Sequence, residues 1–107
     1  MPTLMQVNFT PSEQQARETQ EDKVAVAQEL TKLPGLRWKI WIWDKPSNTR
    51  GGIYLFDDLA SAKSFGDDQL AGIFAALGAT NVSIRYFEID LEPSLANAAP
   101  LGALTMT

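Results

Sequence analysis

The sequence contains neither cysteine nor histidine in its 107 residues. Without cysteine, the chain has no disulfide, no catalytic thiolate and no cysteine metal site. Without histidine, it lacks the commonest transition-metal ligand, the proximal ligand of most haem sites and the usual general base near neutral pH. We therefore expect no metal site and no haem bound through histidine.

Basic residues are also few and scattered. Nine lysines and arginines stand against thirteen aspartates and glutamates, which gives a net charge of −4. No basic cluster marks a nucleic-acid footprint. The first residues lack the basic and apolar regions of a secretory signal, and no apolar run is long enough to span a membrane. We expect a cytoplasmic protein that binds neither nucleic acid nor membrane.

The hydrophobic content of 45% is typical of a single soluble domain. A chain of this length buries little more than about 60% of the surface that it exposes when unfolded. An apolar sheet face would therefore gain from pairing with a second subunit, and we expect a homodimer. Residues 1–92 are predicted to form the domain, and the tail 93–107, rich in small apolar residues, is predicted to pack on the partner subunit.

The patterning predicts four strands and two helical regions. Period-two alternation and β-branched or aromatic residues mark strands at 4–9, 36–43, 52–56 and 82–89. One helix is predicted to begin after Ser12 and to stop at Pro34-Gly35, and the other to run from Leu59 to Gly78 with a kink or break at Gly66. The order β-α-β-β-α-β predicts an α+β, ferredoxin-like fold.

The second predicted strand holds all three tryptophans and is apolar on both sides. Strict alternation separates it into two faces: Leu36, Trp38, Ile40 and Ile42 on one, and Arg37, Lys39, Trp41 and Trp43 on the other. We expect the face of Trp38 to pack on the helices. The face of Trp41 and Trp43 is expected to build an interface with a second sheet, because interface aromatics are enriched for packing alone.

Several segments resemble a known family. They are Pro34 to Trp41, the string Gly51 to Asp57, Leu77-Gly78, and the Phe87-Glu88-Ile89 ending. Together they are similar, from the first strand to just past the fourth, to the YdhR-like monooxygenases of the dimeric α/β-barrel superfamily. The resemblance implies a ferredoxin-like protomer that closes a barrel with a second subunit and has a pocket between sheet and helices.

The resemblance also implies a chemistry. Relatives in that superfamily oxidise polycyclic phenols to quinones with molecular oxygen and without a cofactor, using pocket tryptophan, tyrosine, asparagine and arginine side chains. Other relatives bind or degrade haem through a histidine that this sequence lacks. We therefore expect a cofactor-independent monooxygenase acting on a small hydrophobic, aromatic or phenolic compound. The alternative is a non-catalytic dimeric domain of the same fold that binds a small molecule.

Six residues are candidates for the site on this basis. Trp38 would stack on the substrate, Tyr54 and Asn8 would donate hydrogen bonds, and Arg85 would stabilise negative charge. Three of them have a structural alternative: Trp38 as a core residue, Asn8 as a partner of neighbouring backbone, and Arg85 in an interface or an ion pair. Phe65 and Phe74, on the apolar side of the second helical region, would bind the substrate.

Overall fold

The computed structural model describes residues 1–101 as one sheet with helices. The strands are β1 (Thr3–Thr10), β2 (Leu36–Asp44), β3 (Thr49–Phe56) and β4 (Thr80–Glu88). The helices are α1 (Glu13–Ala16), α2 (Gln20–Leu30), α3 (Leu59–Phe65), α4 (Ala71–Leu77) and α5 (Leu91–Ala96), and a π-helical turn, Gly66–Leu70, joins α3 to α4. No helix within these residues is long and apolar enough to cross a membrane.

The four strands form a single antiparallel sheet in the order β2-β3-β1-β4. This order, with the chain order β-α-β-β-α-β, confirms the predicted α+β ferredoxin-like fold. The core lies between one sheet face and the helices. Its buried members come from β1 and β3 and from the region α3 to α4: Met5, Val7, Tyr54, Phe56, Ala62, Phe65, Leu70 and Phe74.

Side-chain caps set the helix boundaries. Ser12 caps α1, as predicted, and of the two aspartates before Leu59, either of which could cap a helix, Asp58 caps α3. Gly78 ends α4 in the left-handed conformation at a φ of 80°. The first helical region differs from its prediction because it is two helices. Thr19 and Asp22 form a second capping box that starts α2 afresh.

A β-bulge near the start of β2 reverses the faces predicted for that strand. Leu36 pairs with Phe56, but Trp38 pairs with Leu55, so Arg37 is an extra residue without a partner. Beyond the bulge Lys39 lies beside Tyr54, which belongs to the core. The prediction that Trp38 faces the helices is therefore wrong. Lys39, Trp41 and Trp43 share the helix-facing side, and Trp38 and Ile40 lie on the opposite side.

The sheet face opposite the helices, which we call the outer face, is partly covered by the end of the described chain. The Trp38 indole donates a hydrogen bond from Nε1 to the Pro100 carbonyl oxygen over 2.6 Å. Leu55, on the outer face, and Leu101 are both buried. The segment after α5 thus contacts β2 of its own chain. Packing of the tail on a partner stays a prediction, and residues 102–107 lie outside the described part.

Candidate functional site

A cavity of about 650 Å³ opens between the sheet and α2, within the size range of small-molecule sites. Its walls are mostly apolar and come from β1, α2, β2, β3 and the region α3 to α4. The lining side chains central to the argument below are Lys39, Trp41, Trp43, Tyr54, Phe65 and Phe74.

Aromatic rings form one wall of the cavity. Trp41 and Trp43 are 41% and 50% exposed, which is unusual for tryptophans on the helix-facing side of a sheet. Behind them the Tyr54 ring packs against the Phe65 ring, with centroids 5.8 Å apart. Exposed indole rings of this kind suit contact with a flat aromatic ligand.

Lys39 carries its charge into this aromatic wall. Its Nζ lies 3.4 Å from the centre of the Trp41 ring and 4.7 Å from that of Tyr54, within the range of cation–π contacts. A Cβ on Gly52 would lie 2.6 Å from Lys39 Cε, so the missing side chain of Gly52 provides the room for the lysine. Burial lowers the pKa of Lys39 to about 8, against an opposing effect of the Glu18 carboxylate.

Two further cations line the cavity. Lys23 lies over the Trp43 ring at 4.7 Å, and its pKa is lowered by burial first and then by the Arg50 guanidinium. Arg50 donates from Nη1 to the Gln15 carbonyl oxygen at 2.9 Å. Glu18 is the single carboxylate among the lining residues of the described chain. An apolar ligand with one acidic group would complement this lining.

Tyr54 keeps its proton in the cavity. Its side chain is 3% exposed, and burial raises the pKa of its hydroxyl above the ordinary value. The hydroxyl is therefore a hydrogen-bond donor throughout the physiological pH range.

No group of three or more carboxylates able to hold a metal ion occurs within residues 1–101.

The structure brings together only part of the predicted site. Tyr54, Phe65 and Phe74 line the cavity, whereas Trp38, Asn8 and Arg85 do not. Trp38 is displaced to the outer face by the bulge.

The other two misplaced candidates also lie on the outer face. Asn8 accepts a hydrogen bond from Gln6 Nε2 at 3.0 Å, and the exposed Arg85 lies over the Phe87 ring at 4.9 Å. Neither contact directs a polar group into the cavity, so the geometry gives no support to their predicted roles.

The sequence misplaces two cavity residues and gives no sign of a third. The alternation predicts an interface for Trp41 and Trp43, whereas the structure places both in the cavity, and it predicts no role for Lys39. The available signal is the register counted back from the hairpin loop, which pairs Trp41 with Gly52 and Lys39 with Tyr54. A strict alternation rule applied from Leu36 inverts the result.

Replacing Lys39 with methionine is expected to stabilise the folded protein at neutral pH. Because the pKa of Lys39 is about 8 when folded and 10.5 ordinarily, both states are protonated below about pH 8 and the cost of burying the charge is fully present. Between these values the folded state releases its proton first, so the cost disappears as pH rises. We expect an advantage of about 1 kcal/mol at neutral pH, allowing for solvent screening.

Urea denaturation at a series of pH values measures this difference. The exposed Lys32, which pairs with Glu29, supplies a matched control over the same window, pH 8 to 10.5, and Lys32→Met should not stabilise the folded protein at neutral pH. A Lys39→Met variant whose advantage grew with pH across that window would contradict the assignment.

Comparisons with known proteins agree with this fold. The family model described as "Putative mono-oxygenase ydhR" matches residues 4–100. A crystal structure of a "putative antibiotic biosynthesis monooxygenase" from Deinococcus radiodurans is similar, with a TM-score of 0.61 and 16% sequence identity over 81% of this chain and 91% of that chain. At that identity the likeness supports the fold alone. None of the curated proteins matches this chain.

Proposed function

The chain belongs to the YdhR mono-oxygenase family, and we propose that it oxidises a small, flat, hydrophobic phenol or enolisable ketone with molecular oxygen, without a cofactor. The observation that carries the proposal is the cavity itself. Accessible Trp41 and Trp43 rings line a space that also contains a half-buried lysine and the protonated Tyr54 hydroxyl. Few polar groups converge in an otherwise apolar space, as in ligand sites generally.

The proposed reaction begins with an acidic ligand that binds in this cavity and loses a proton. Once the substrate has lost a proton, its anion passes an electron to oxygen, the two radicals combine to a peroxide, and loss of water leaves a quinone. The electrons come from the substrate, so no separate reductant is needed. The protein contributes by excluding water, by stacking through Trp41 and by donating a hydrogen bond from Tyr54 to the oxyanion.

Oxygen consumption with a panel of anthrones, hydroquinones and polyphenols tests the proposal. Tyr54→Phe should lower turnover about tenfold or more, because it removes a hydrogen bond to a charged group. Trp41→Leu should raise KM through lost stacking. Trp38→Phe is the matched control, since Trp38 lies outside the cavity, and it should leave both constants near those of the unsubstituted protein.

Two other results would contradict parts of this proposal. Equal effects of the Trp38 and Trp41 substitutions would contradict the location of the site. No oxygen consumption with any compound, together with a rise in melting temperature on adding one of them, would instead favour a non-catalytic binding domain.

We also propose that two copies pair through their outer faces. Ile40, which pairs with Ile53 on this face, is 50% exposed, and the neighbouring strands also carry apolar side chains there. Sedimentation should therefore show a dimer at micromolar concentration. Ile40→Lys should shift it toward monomer, and deletion of residues 93–107 should weaken it. A folded monomer from the unsubstituted chain would contradict the pairing.

A further inference from the structure

We propose that Lys39 is the acid–base residue of the cavity: its neutral amine takes the proton from the ligand's hydroxyl group, and the ammonium so formed holds the oxyanion. The inference rests on the proposed function, since it assigns the proton acceptor that the oxidation requires. In the step, the ligand O–H bond breaks and an N–H bond forms on Nζ. No electron changes hands, so the step balances without a further reactant.

The position of Nζ is the first argument. It lies close to two rings of the cavity wall, 3.4 Å from the centre of Trp41 and 4.7 Å from that of Tyr54. A planar ligand bound against this wall would therefore bring an edge hydroxyl close to Nζ. An amine held at the wall of an apolar cavity suits proton removal followed by oxyanion binding.

The second argument is that Nζ has hydrogen-bonding capacity to spare. The salt bridges within residues 1–101 join Arg17 to Glu13, Lys32 to Glu29 and Arg37 to Asp57, and none involves Lys39. Within the described residues, no fully buried side-chain nitrogen or oxygen lacks a hydrogen-bond partner. Lys39 Nζ therefore keeps some accessible surface, which a ligand in the cavity could contact. A lysine with a structural role would be expected to hold a carboxylate or carbonyl oxygen instead.

The charges around Lys39 favour this role. Lys23 and Arg50 line the same cavity and add positive charge to it, and Glu18 is the one carboxylate among the described lining residues, whose charge favours the ammonium form of Lys39. Burial dominates and brings the pKa of Lys39 to about 8, so both its amine and ammonium forms are accessible near neutral pH. An incoming oxyanion would pair with the ammonium in surroundings that screen it poorly.

The experiment uses binding alone and needs no turnover. Beta-naphthol is added under nitrogen at about pH 9, above the pKa of Lys39 and below that of the free naphthol. Absorbance reports whether the bound ligand is naphthol or naphtholate. Calorimetry in buffers of different ionisation enthalpy reports whether a proton leaves for the solvent.

The unsubstituted protein should bind naphtholate with no proton released, because Lys39 accepts it. Lys39→Arg should also bind naphtholate but release a proton, since a guanidinium cannot accept one. Lys39→Met should bind neutral naphthol about tenfold or more weakly, and Lys32→Met should behave like the unsubstituted protein.

Each contrary result overturns the inference. These are a naphtholate band that persists in Lys39→Met, the absence of proton release from Lys39→Arg, and the failure of the unsubstituted protein to bind naphtholate. Oxygen consumption by Lys39→Met at the unsubstituted rate would also reject Lys39 while leaving the monooxygenase proposal intact. Conversely, the expected binding with no oxygen consumption would reject the oxidation and keep Lys39 as an oxyanion site.

Discussion

Replacing Gly51 with alanine is expected to lower the free energy of unfolding by about 3 kcal/mol, a large part of the stability of a small domain. A Cβ at this position would overlap the backbone carbonyl oxygen of Val7, on the adjacent strand β1. Unlike a flexible side chain, this carbonyl cannot move aside without disturbing the central pair of strands. The melting temperature should fall by about 10 °C or more.

Gly72 provides the matched control for this measurement. It lies in α4, and a Cβ there would meet no atom within 4 Å. Gly72→Ala should therefore be neutral or raise stability by up to about 1 kcal/mol, because alanine favours the helix. Equal melting temperatures for the two variants would show that the strands are not as close at Gly51 as the structure has them.

The neighbouring substitution, Gly52→Ala, should slow the proposed oxidation and leave the fold intact. The added Cβ would lie 2.6 Å from Lys39 Cε and 3.0 Å from Tyr54 Cε1. The lysine stem can swing away at little cost in stability, but its amine then leaves the wall beside Trp41. A displacement of about 1 Å at a reacting group can cost about 100-fold in rate, and we expect a loss of that order in kcat/KM.

A double-mutant cycle isolates the cause. If Gly52→Ala acts by moving Lys39, it should have little further effect once Lys39 is already methionine. Losses that multiply in the double variant would mean that Gly52→Ala acts through the cavity shape alone. A drop in melting temperature as large as that of Gly51→Ala would mean that the lysine cannot move aside.

The sequence predicts the elements because their signals are local. The Ser12 and Asp58 caps, the Gly78 stop and the break near Gly66 depend on residues within a few positions of one another. The break is realised as a π-helical turn, a detail that depends on packing against the sheet. The second cap at Thr19 carried a local signal too, since Asp22 follows at the spacing of a capping box.

The site is harder to predict because the pairing of β2 with β3 decides which side chains of β2 face the cavity. Tyr54, Phe65 and Phe74 reach the cavity because their elements follow the expected periods. Trp38 does not reach it, because the extra residue at Arg37 reverses the sheet face on which each later side chain of β2 lies. Such a bulge is decided by the partner strand and by contacts such as Arg37 Nε to Asp57 Oδ1 at 2.6 Å, which no short window contains.

The bulge also links two surfaces that would otherwise vary independently. A single strand presents Trp41 to the cavity and Ile40 to the outer face, and the phase set at Arg37 decides both together. A one-residue insertion or deletion near Arg37 would exchange the two sets of side chains. Any change of the cavity made by this route would therefore also change the surface proposed for dimerisation. Among relatives, ligand choice and assembly could change independently of each other only through substitutions, not through a shift in the register of β2.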